Sequence, residues 1–302
     1  MSFTRLQEKI DELKNPAVVG LDPDLAHIPE EILEKHYENL GENLEAAALA
    51  VLEFNAGLID AICDIVPAVK PQSAYYEMLG PYGVIALKKT CEYAGKKGMY
   101  VILDGKRNDI GSTAAAYSAA YLGSVRIGGK EYAPFDADAL TVNAYLGSDG
   151  IKPFIETAIK YDKAVFALVR TSNPSAGELQ DKMIGNEKLF TLVGDLIEEI
   201  SKDTIDKYGY TRVGAVVGAT YPKEAEFLRK RLKHTFFLVP GYGAQGGSAE
   251  EAAYAFDKDG RGAIVNSSRG IIAAWKKRGG DYAAAAREEA IKMRDELQKA
   301  VY

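Results

Sequence analysis

The chain has 302 residues, 47% of them hydrophobic, and its 37 basic and 43 acidic side chains give a net charge of −6. This length and hydrophobic content allow a large buried core, and the acidic balance disfavours a general nucleic-acid or anionic-membrane binder. No apolar run reaches bilayer length, and the charged start at 1–14 indicates a short amphipathic helix rather than a signal peptide.

The cysteines and histidines do not suggest a redox or metal centre. Cys63 and Cys91 each lie in an apolar helical pattern without CxxC spacing, which predicts reduced thiols in the core of a cytoplasmic protein. His27, His36 and His234 are far apart in the chain and lie among charged residues. We therefore expect neither a histidine metal site nor a histidine-based triad.

Short apolar runs recur along the chain, each followed by a polar or Gly-rich turn and a stretch with helical periodicity. The eight runs are 17–21, 65–69, 99–103, 139–142, 164–169, 213–217, 236–239 and 263–265. The helical stretches are 42–62, 82–97, 112–122, 151–161, 187–207, 222–232, 248–256 and 282–301. The alternation predicts a parallel sheet, and eight units in this length favour an α/β fold of the (β/α)₈ TIM-barrel type. A doubly wound open sheet is the alternative.

The whole chain, residues 1–302, is predicted to form a single barrel domain. No linker, low-complexity tract or shift in charge divides it. Two connections, 22–41 and 123–138, are long for loops that follow strands. Loops of this length are usually functional covers or insertions, and both roles stay open for these two.

The barrel interpretation predicts where the chemistry lies. Active sites of such barrels form where strands end and the next loops begin. Unusual polar residues should therefore come just after the apolar runs. Those that do are Asp22, Lys70, Asp104, Lys106, Asp109, Asn143 and the segments 170–174, 240–247 and 266–270.

The stretch 103–110, Leu-Asp-Gly-Lys-Arg-Asn-Asp-Ile, holds three of these charges. In an extended strand, residues i and i+2 face the same side, so Asp104 and Lys106 are expected to project into one site. Asp109 falls in the turn before a helix. Charges this close need partners when they leave water. An ordinary ion pair in a surface turn is the alternative.

Residues 240–247, Pro-Gly-Tyr-Gly-Ala-Gln-Gly-Gly, match GxGxxG by letter. As a dinucleotide fingerprint the match is weak, because no acidic residue ends a strand about 20 residues later. In barrels, the seventh and eighth loops commonly bind phosphate, and the eighth loop here carries Arg269. A guanidinium can bind phosphate oxygens bidentately. We predict a phosphate site, with a Gly-rich turn and a surface arginine as the alternative.

A ligand anchored by its phosphate would meet Lys70, Asp104, Lys106 and Asp109 across the barrel mouth. Alternating lysines and aspartates hold each other charged and in fixed directions. Such an array suits reactions in which negative charge develops at carbon, since a nearby ammonium stabilises that charge and then delivers a proton. Decarboxylation, proton abstraction and aldol chemistry all fit.

In these segments the chain resembles the orotidine 5′-phosphate decarboxylase family, in its longer bacterial branch. The signature Asp-x-Lys-x-x-Asp-Ile is complete at Asp104, Lys106, Asp109 and Ile110. Further segments look like those of the family and follow in the right order from the first strand to the eighth. They are Gly-Leu-Asp at 20–22, Val-Lys-Pro-Gln at 69–72, Thr-Ser-Asn-Pro at 171–174, the segment 240–247 and Ser-Arg-Gly at 268–270.

The resemblance implies conversion of orotidine 5′-monophosphate to uridine 5′-monophosphate and carbon dioxide, the last step of de novo pyrimidine synthesis, without metal or organic cofactor. Lys106 would stabilise and protonate the C6 carbanion, Asp104 would lie against the substrate carboxylate, and Lys70 would order the array and contact the ribose. The other implied contacts are Asp22 to the ribose, Ser172 to the pyrimidine edge, and Gln245, the Gly246 and Gly247 amides and Arg269 to the phosphate.

The resemblance also implies a homodimer in which Asp109, with Ile110 beside it, reaches the neighbouring site. We expect no nucleic-acid or membrane partner. Asn173 stands where shorter relatives carry histidine, so no contact is assigned to it. Asn143 either caps a strand end or touches the site.

Three other functions are alternatives to this one. A magnesium-dependent sugar-phosphate decarboxylase or aldolase of the wider superfamily would want a carboxylate after the second strand, where Lys70 lies, and an ammonium repels a cation. A Schiff-base aldolase works best with a lysine of lowered pKa, whereas aspartate neighbours raise it. A catalytically inactive phosphate- or nucleotide-binding barrel is the third alternative.

Overall fold

The architecture is a closed barrel of parallel strands. The structure, a computed structural model, describes residues 2–243 and 246–302. Within these ranges eight parallel strands close on themselves, with the first strand paired to both the second and the last. We label them β1 to β8: Ala17–Leu21, Ala68–Pro71, Tyr100–Arg107, Ala139–Val142, Ala164–Arg170, Val213–Val217, Phe237–Val239 and Ala263–Ser267. The predicted (β/α)₈ barrel is confirmed.

Helices connect the strands and cover the outside of the barrel. Within the described ranges they are labelled α1 to α13: Ser2–Leu13, Glu30–Leu40, Leu44–Ile62, Ser73–Glu77, Gly80–Lys96, Gly111–Tyr121, Lys152–Tyr161, Leu189–Ser201, Pro222–Arg231, Ala249–Ala253, Arg269–Ile272, Trp275–Arg278 and Tyr282–Val301. Side chains cap several of their starts. Asn43 accepts from the Ala46 amide at 3.0 Å and Asp281 from the Ala284 amide at 2.7 Å, which satisfies amides that lack partners in a first turn.

The two long connections predicted as loops contain regular structure. The first, 22–41, contains the 3₁₀ turn Leu25–His27 and helix α2. The second, 123–138, contains an antiparallel hairpin of Val125–Ile127 and Lys130–Tyr132. The sequence predicted no secondary structure for these two long connections, so these elements are additions to the predicted fold.

Alternate residues of the barrel strands face inward and form a core of their own. Their apolar layer includes Val18, Ala68, Ile102, Ala139 and Ile264, all buried. The residues between them pack outward against the helices in a second, larger core. This division follows from the two-residue period of a strand, which sends successive side chains to opposite faces.

Helix α1 closes the amino-terminal end of the barrel. The Phe3 ring lies 4.9 Å from that of Phe166 and 5.0 Å from that of Phe236, between centroids. Leu6 and Ile10 are buried in the same core. The amphipathic helix predicted near the start of the chain is confirmed, and its apolar face forms what we call the barrel floor, Phe3, Leu6 and Ile10.

Both cysteines are free thiols, but only one lies in the core. Cys91 is buried and Cys63 is half-buried at the end of α3, so the prediction of a core thiol was wrong for Cys63. Burial raises the pKa of the Cys91 thiol to about 12. None of the helices in the described ranges has the length and apolar character needed to cross a bilayer.

Candidate active site

The inward positions become polar at the carboxyl-terminal end of the barrel. Two residues beyond the apolar layer, the strands carry Lys70, Asp104, Thr141 and Asn266, and all four are buried. The strand period that places apolar side chains inside therefore places these polar ones directly above them. Buried polar groups need hydrogen-bond partners, and Lys70 and Thr141 both find theirs in Asp104.

Asp104 is the centre of this group. Its Oδ2 atom accepts from Lys70 Nζ at 2.7 Å and from Gln72 Nε2 at 3.0 Å. Its Oδ1 atom accepts from Lys106 Nζ at 2.7 Å and from the Thr141 hydroxyl at 2.7 Å. Four donors fill the lone-pair directions that a carboxylate offers. Asp104 therefore presents a fixed negative charge.

The two lysines keep this carboxylate ionised. Burial alone would raise the pKa of Asp104, but the ammonium groups of Lys70 and Lys106 outweigh it and hold that pKa well below its usual range. Burial would likewise lower the pKa of Lys70, but the charges of Asp104 and Asp22 raise it above its ordinary value. The buried pair is therefore charged on both sides at neutral pH.

Lys106 meets Asp104 by a route that we did not predict. Ile102 and Leu103 pair with Ala139 and Leu140, but Arg107 pairs with Val142, so β3 carries two extra residues before it. Within this bulge Lys106 has φ +46°, a left-handed conformation that is unusual for a residue with a side chain. The bulge, and not regular strand alternation, brings Lys106 over Asp104.

Two members of the cluster were not assigned a role from the sequence. Gln72 lies just after β2 and forms an isolated bridge with Asp104. Thr141 lies in β4, within the short run Ala-Leu-Thr-Val. A single hydroxyl in an apolar run carries no motif. The only available signal was its position: Thr141 lies two residues after the inward-facing Ala139, near the carboxyl-terminal end of the strand.

Asp22 directly follows β1, and its charge raises the pKa of Lys70. Its Oδ1 atom is buried and has no hydrogen-bond partner among residues 2–243 and 246–302. An unsatisfied buried oxygen is costly. Asp22 is thus available to accept hydrogen bonds from a ligand at the mouth.

Asp109 stands apart from the cluster of its own chain. Its carboxylate accepts from the Ile110 amide at 2.8 Å. Neither lysine of the cluster contacts it in the described part of the chain. Ile110 is 56% exposed. Within the described residues, Asp109 therefore does not join the cluster of Lys70, Asp104 and Lys106 of its own chain.

The loop after β5 is held close to the barrel. A Cβ atom on Gly218 would lie 2.9 Å from Ser172 Cβ, so this glycine allows Ser172 to approach the end of β6. Gln180 holds the neighbouring residue, since its side chain accepts from the Thr171 amide at 3.0 Å and donates to the Thr171 hydroxyl at 2.7 Å. Arg170, almost fully buried, stacks on Tyr221 at 3.8 Å from the ring centroid.

The residues predicted to bind phosphate do not form a cluster comparable to that around Asp104. Gln245 lies outside the described residues. The Gly246 and Gly247 amides donate to the carbonyls of Gly243 and Gly241, at 2.8 and 3.0 Å, so both are hydrogen-bonded inside the loop.

Arg269 and Asn143 have different surroundings. Arg269 begins α11, is exposed, and is not paired with any carboxylate in the part of the chain that the structure describes. Its guanidinium is therefore available to an anion. Asn143 accepts from the Tyr145 amide at 3.0 Å and thus caps the turn after β4.

Comparisons with known proteins give the family. The model of the orotidine 5′-phosphate decarboxylase / HUMPS family matches residues 27–285. Orotidine 5′-phosphate decarboxylase of Rhodopirellula baltica is 44% identical over 278 residues, 92% of this chain and 90% of the relative. The Clostridium botulinum protein of that name is 41% identical, covering 99% of both chains. The structure of Leishmania donovani OMP decarboxylase superposes with a TM-score of 0.72 at 30% identity, covering 97% of this chain and 99% of that one.

Proposed function

Because this chain belongs to the orotidine 5′-phosphate decarboxylase family, whose members convert orotidine 5′-monophosphate to uridine 5′-monophosphate in pyrimidine biosynthesis, we propose how its own residues perform that decarboxylation. The enzyme is a carboxy-lyase. The catalytic device is the array of Lys70, Asp104 and Lys106. The observation that carries the proposal is the Asp104 carboxylate, which two ammonium groups contact at 2.7 Å each.

Lys106 is the proton donor. Its side chain is 47% exposed, whereas that of Lys70 is 6% exposed. Both ammonium groups bind Asp104, and the more exposed of the two, Lys106, is the one placed to reach C6 of a substrate at the mouth. Lys70 holds Asp104 in place and contacts the ribose. The difference in exposure thus supports separate roles for two chemically identical groups.

In the reaction, the bond between C6 and the carboxylate carbon breaks and its electron pair stays on C6 while carbon dioxide leaves. The Lys106 ammonium stabilises the developing charge and then transfers a proton to C6, and the resulting amine regains a proton from water. Asp104 lies against the departing carboxylate. Because its oxygens already accept four hydrogen bonds, it offers that carboxylate repulsion and no donor, which favours loss of carbon dioxide.

The remainder of the substrate binds around this array. Asp22, with its unpaired carboxylate oxygen, accepts from ribose hydroxyls, and Ser172 binds the pyrimidine edge. Arg269 binds the phosphate, together with Gln245. The Gly246 and Gly247 amides join them only if the loop exchanges its internal hydrogen bonds for phosphate contacts.

The active unit is a homodimer in which Asp109 completes the partner's array. Two observations support this arrangement: Asp109 does not contact the lysines of its own chain in the described ranges, and the neighbouring Ile110 is exposed. An exposed isoleucine beside a carboxylate at the barrel mouth suits an interface. No metal is required, because the ammonium of Lys70 lies where magnesium-dependent relatives need a carboxylate.

The test is the loss of orotidine 5′-monophosphate absorbance with purified protein after dialysis against EDTA. Rapid loss without added metal is expected. No loss, followed by activity on a sugar phosphate once magnesium is restored, would reject the array mechanism in favour of the magnesium-dependent alternative. Binding of the nucleotide without turnover under both conditions would instead identify an inactive binding barrel.

A further inference from the structure

The hydroxyl of Thr141 forms two hydrogen bonds inside the array. It donates to Asp104 Oδ1 at 2.7 Å, and it accepts from the backbone amide of Lys106 at 2.9 Å. The Lys106 side chain returns to the same Oδ1 atom at 2.7 Å. The three residues therefore form a closed ring of hydrogen bonds that joins two neighbouring strands.

The ring fixes a backbone conformation that the chain would otherwise avoid. Lys106 has φ +46° inside the β3 bulge, and a residue with a side chain is strained in this region. The bulge also removes the Lys106 amide from the regular ladder with β4. Thr141, on β4 and only 1% exposed, supplies the acceptor that this amide would otherwise lack.

We propose that Thr141 is a positioning residue for the decarboxylation, which acts by holding the Lys106 backbone and the Asp104 carboxylate in register so that the ammonium lies over the reacting carbon. This inference rests on the proposed function. Thr141 does not itself take part in the transfer of the proton. Its hydroxyl sets the distance and direction of the two groups that do.

The rigidity of this arrangement matters because small displacements of catalytic groups are costly. Effective catalysis requires the reacting groups to be held within a fraction of an ångström. Without the hydroxyl, the Lys106 amide is left without its acceptor and Oδ1 loses one of its two donors. The bulge can then relax, and Lys106 samples positions away from the substrate.

The experiment compares Thr141→Val, which keeps the shape and removes the hydroxyl, with Thr141→Ser, which keeps the hydroxyl. We expect Thr141→Val to lower kcat about tenfold or more while KM changes by less than about threefold, because the proposed ribose and phosphate contacts lie elsewhere. Thr141→Ser should retain kcat within about threefold of the wild type.

Thr235→Val is the matched control. Thr235 is also buried, and its hydroxyl also binds a carboxylate, Glu198, at 2.7 Å. It lies just before β7, at the amino-terminal end of the barrel. This variant should lose stability without losing kcat. If it loses as much kcat as Thr141→Val, the effect of Thr141 is general destabilisation and the inference is wrong.

Other outcomes are also decisive. Wild-type kcat in Thr141→Val, or an equal loss in Thr141→Val and Thr141→Ser, would overturn the inference while leaving the proposed function intact. Absence of decarboxylation by the wild type would reject the proposed function itself. If Thr141→Val does not fold, Thr141→Cys replaces it, since a thiol is a weak donor; equal kcat for the Cys and Ser variants would then overturn the inference.

Discussion

At the scale of single residues, the two lysines of the site differ in how far their side chains are exposed. Lys70 is enclosed and its charge is matched by Asp104 and Asp22, so it contributes to the structure of the array. Lys106 is half-exposed and lies on a bulge, so it faces whatever enters the mouth. One carboxylate binds both, which makes their roles dependent on each other.

Replacing Lys106 by alanine should abolish turnover and leave phosphate-anchored binding intact. A positioned proton donor contributes about a hundredfold or more to a rate, so steady-state assays should show at least that loss in kcat. Binding of uridine 5′-monophosphate, measured by calorimetry, should survive because Arg269 is untouched. Lys88→Ala, on the exposed face of α5, is the control. A kcat near that of the wild type in Lys106→Ala would remove Lys106 from its assigned role.

The lowered pKa of Asp104 predicts how stability depends on pH. In the unfolded chain this group titrates at about 3.9, so its contribution is complete above that pH and is lost as the pH falls toward the lower folded-state pKa. Urea unfolding between pH 5 and pH 3 should therefore show a steeper fall in the free energy of unfolding for the wild type than for Asp104→Asn. Equal slopes would mean that Asp104 is not held ionised by the two lysines.

At the scale of elements, helix α1 packs against the starts of the strands, at the end of the barrel opposite the site. Phe3→Ala should remove the ring that contacts Phe166 and Phe236, and truncation of a buried phenylalanine costs about 3–5 kcal/mol of unfolding free energy. Urea denaturation would measure this loss. The kcat of the folded variant should be unchanged, because the floor lies at the other end of the barrel. Phe227→Ala, at a half-exposed ring on α9, should cost much less; equal losses would show that the floor is not a principal source of stability.

Elements with a strong periodic signal could be predicted from the sequence. The bounds of β1, β4 and β6 agree with the apolar runs, because each is a short buried run that ends at a polar turn. The hairpin Val125–Ile127 with Lys130–Tyr132 was missed, since its strands are exposed and carry no core pattern. The carboxyl-terminal half of β3 was missed because a bulge interrupts the period at Lys106.

Some residues of the site could likewise be predicted from the sequence, and others could not. Asp104, Lys106 and Lys70 could be predicted because each is a charged residue near the carboxyl-terminal end of a strand that is otherwise apolar. Thr141 could not, since its role depends on a hydrogen bond across 35 residues of sequence to Lys106. The internal bonds of Gly246 and Gly247 depend on positive φ angles at Gly241, Gly243 and Gly246, which a run of glycines permits without specifying.

At the scale of the whole molecule, the proposed homodimer predicts complementation. Lys106→Ala and Asp109→Ala should each be inactive alone, because each lacks one member of every site. In co-expressed mixed dimers, one of the two sites combines an intact Lys106 from one subunit with an intact Asp109 from the other, so random mixing should restore about a quarter of the sites. Turnover that stays at the level of the single variants, despite verified heterodimers, would show that Asp109 does not act in trans.

The barrel floor and the active site lie at opposite ends of the barrel, and this separation affects which substitutions the protein can tolerate. The aromatic contacts of Phe3 lie at the strand starts, whereas the charged array and its loops lie at the strand ends, with an apolar layer between them. Selection can therefore alter the loops with little effect on melting temperature, because stability is held elsewhere. Laboratory evolution toward other phosphorylated substrates should accumulate substitutions at the mouth and leave the floor nearly invariant.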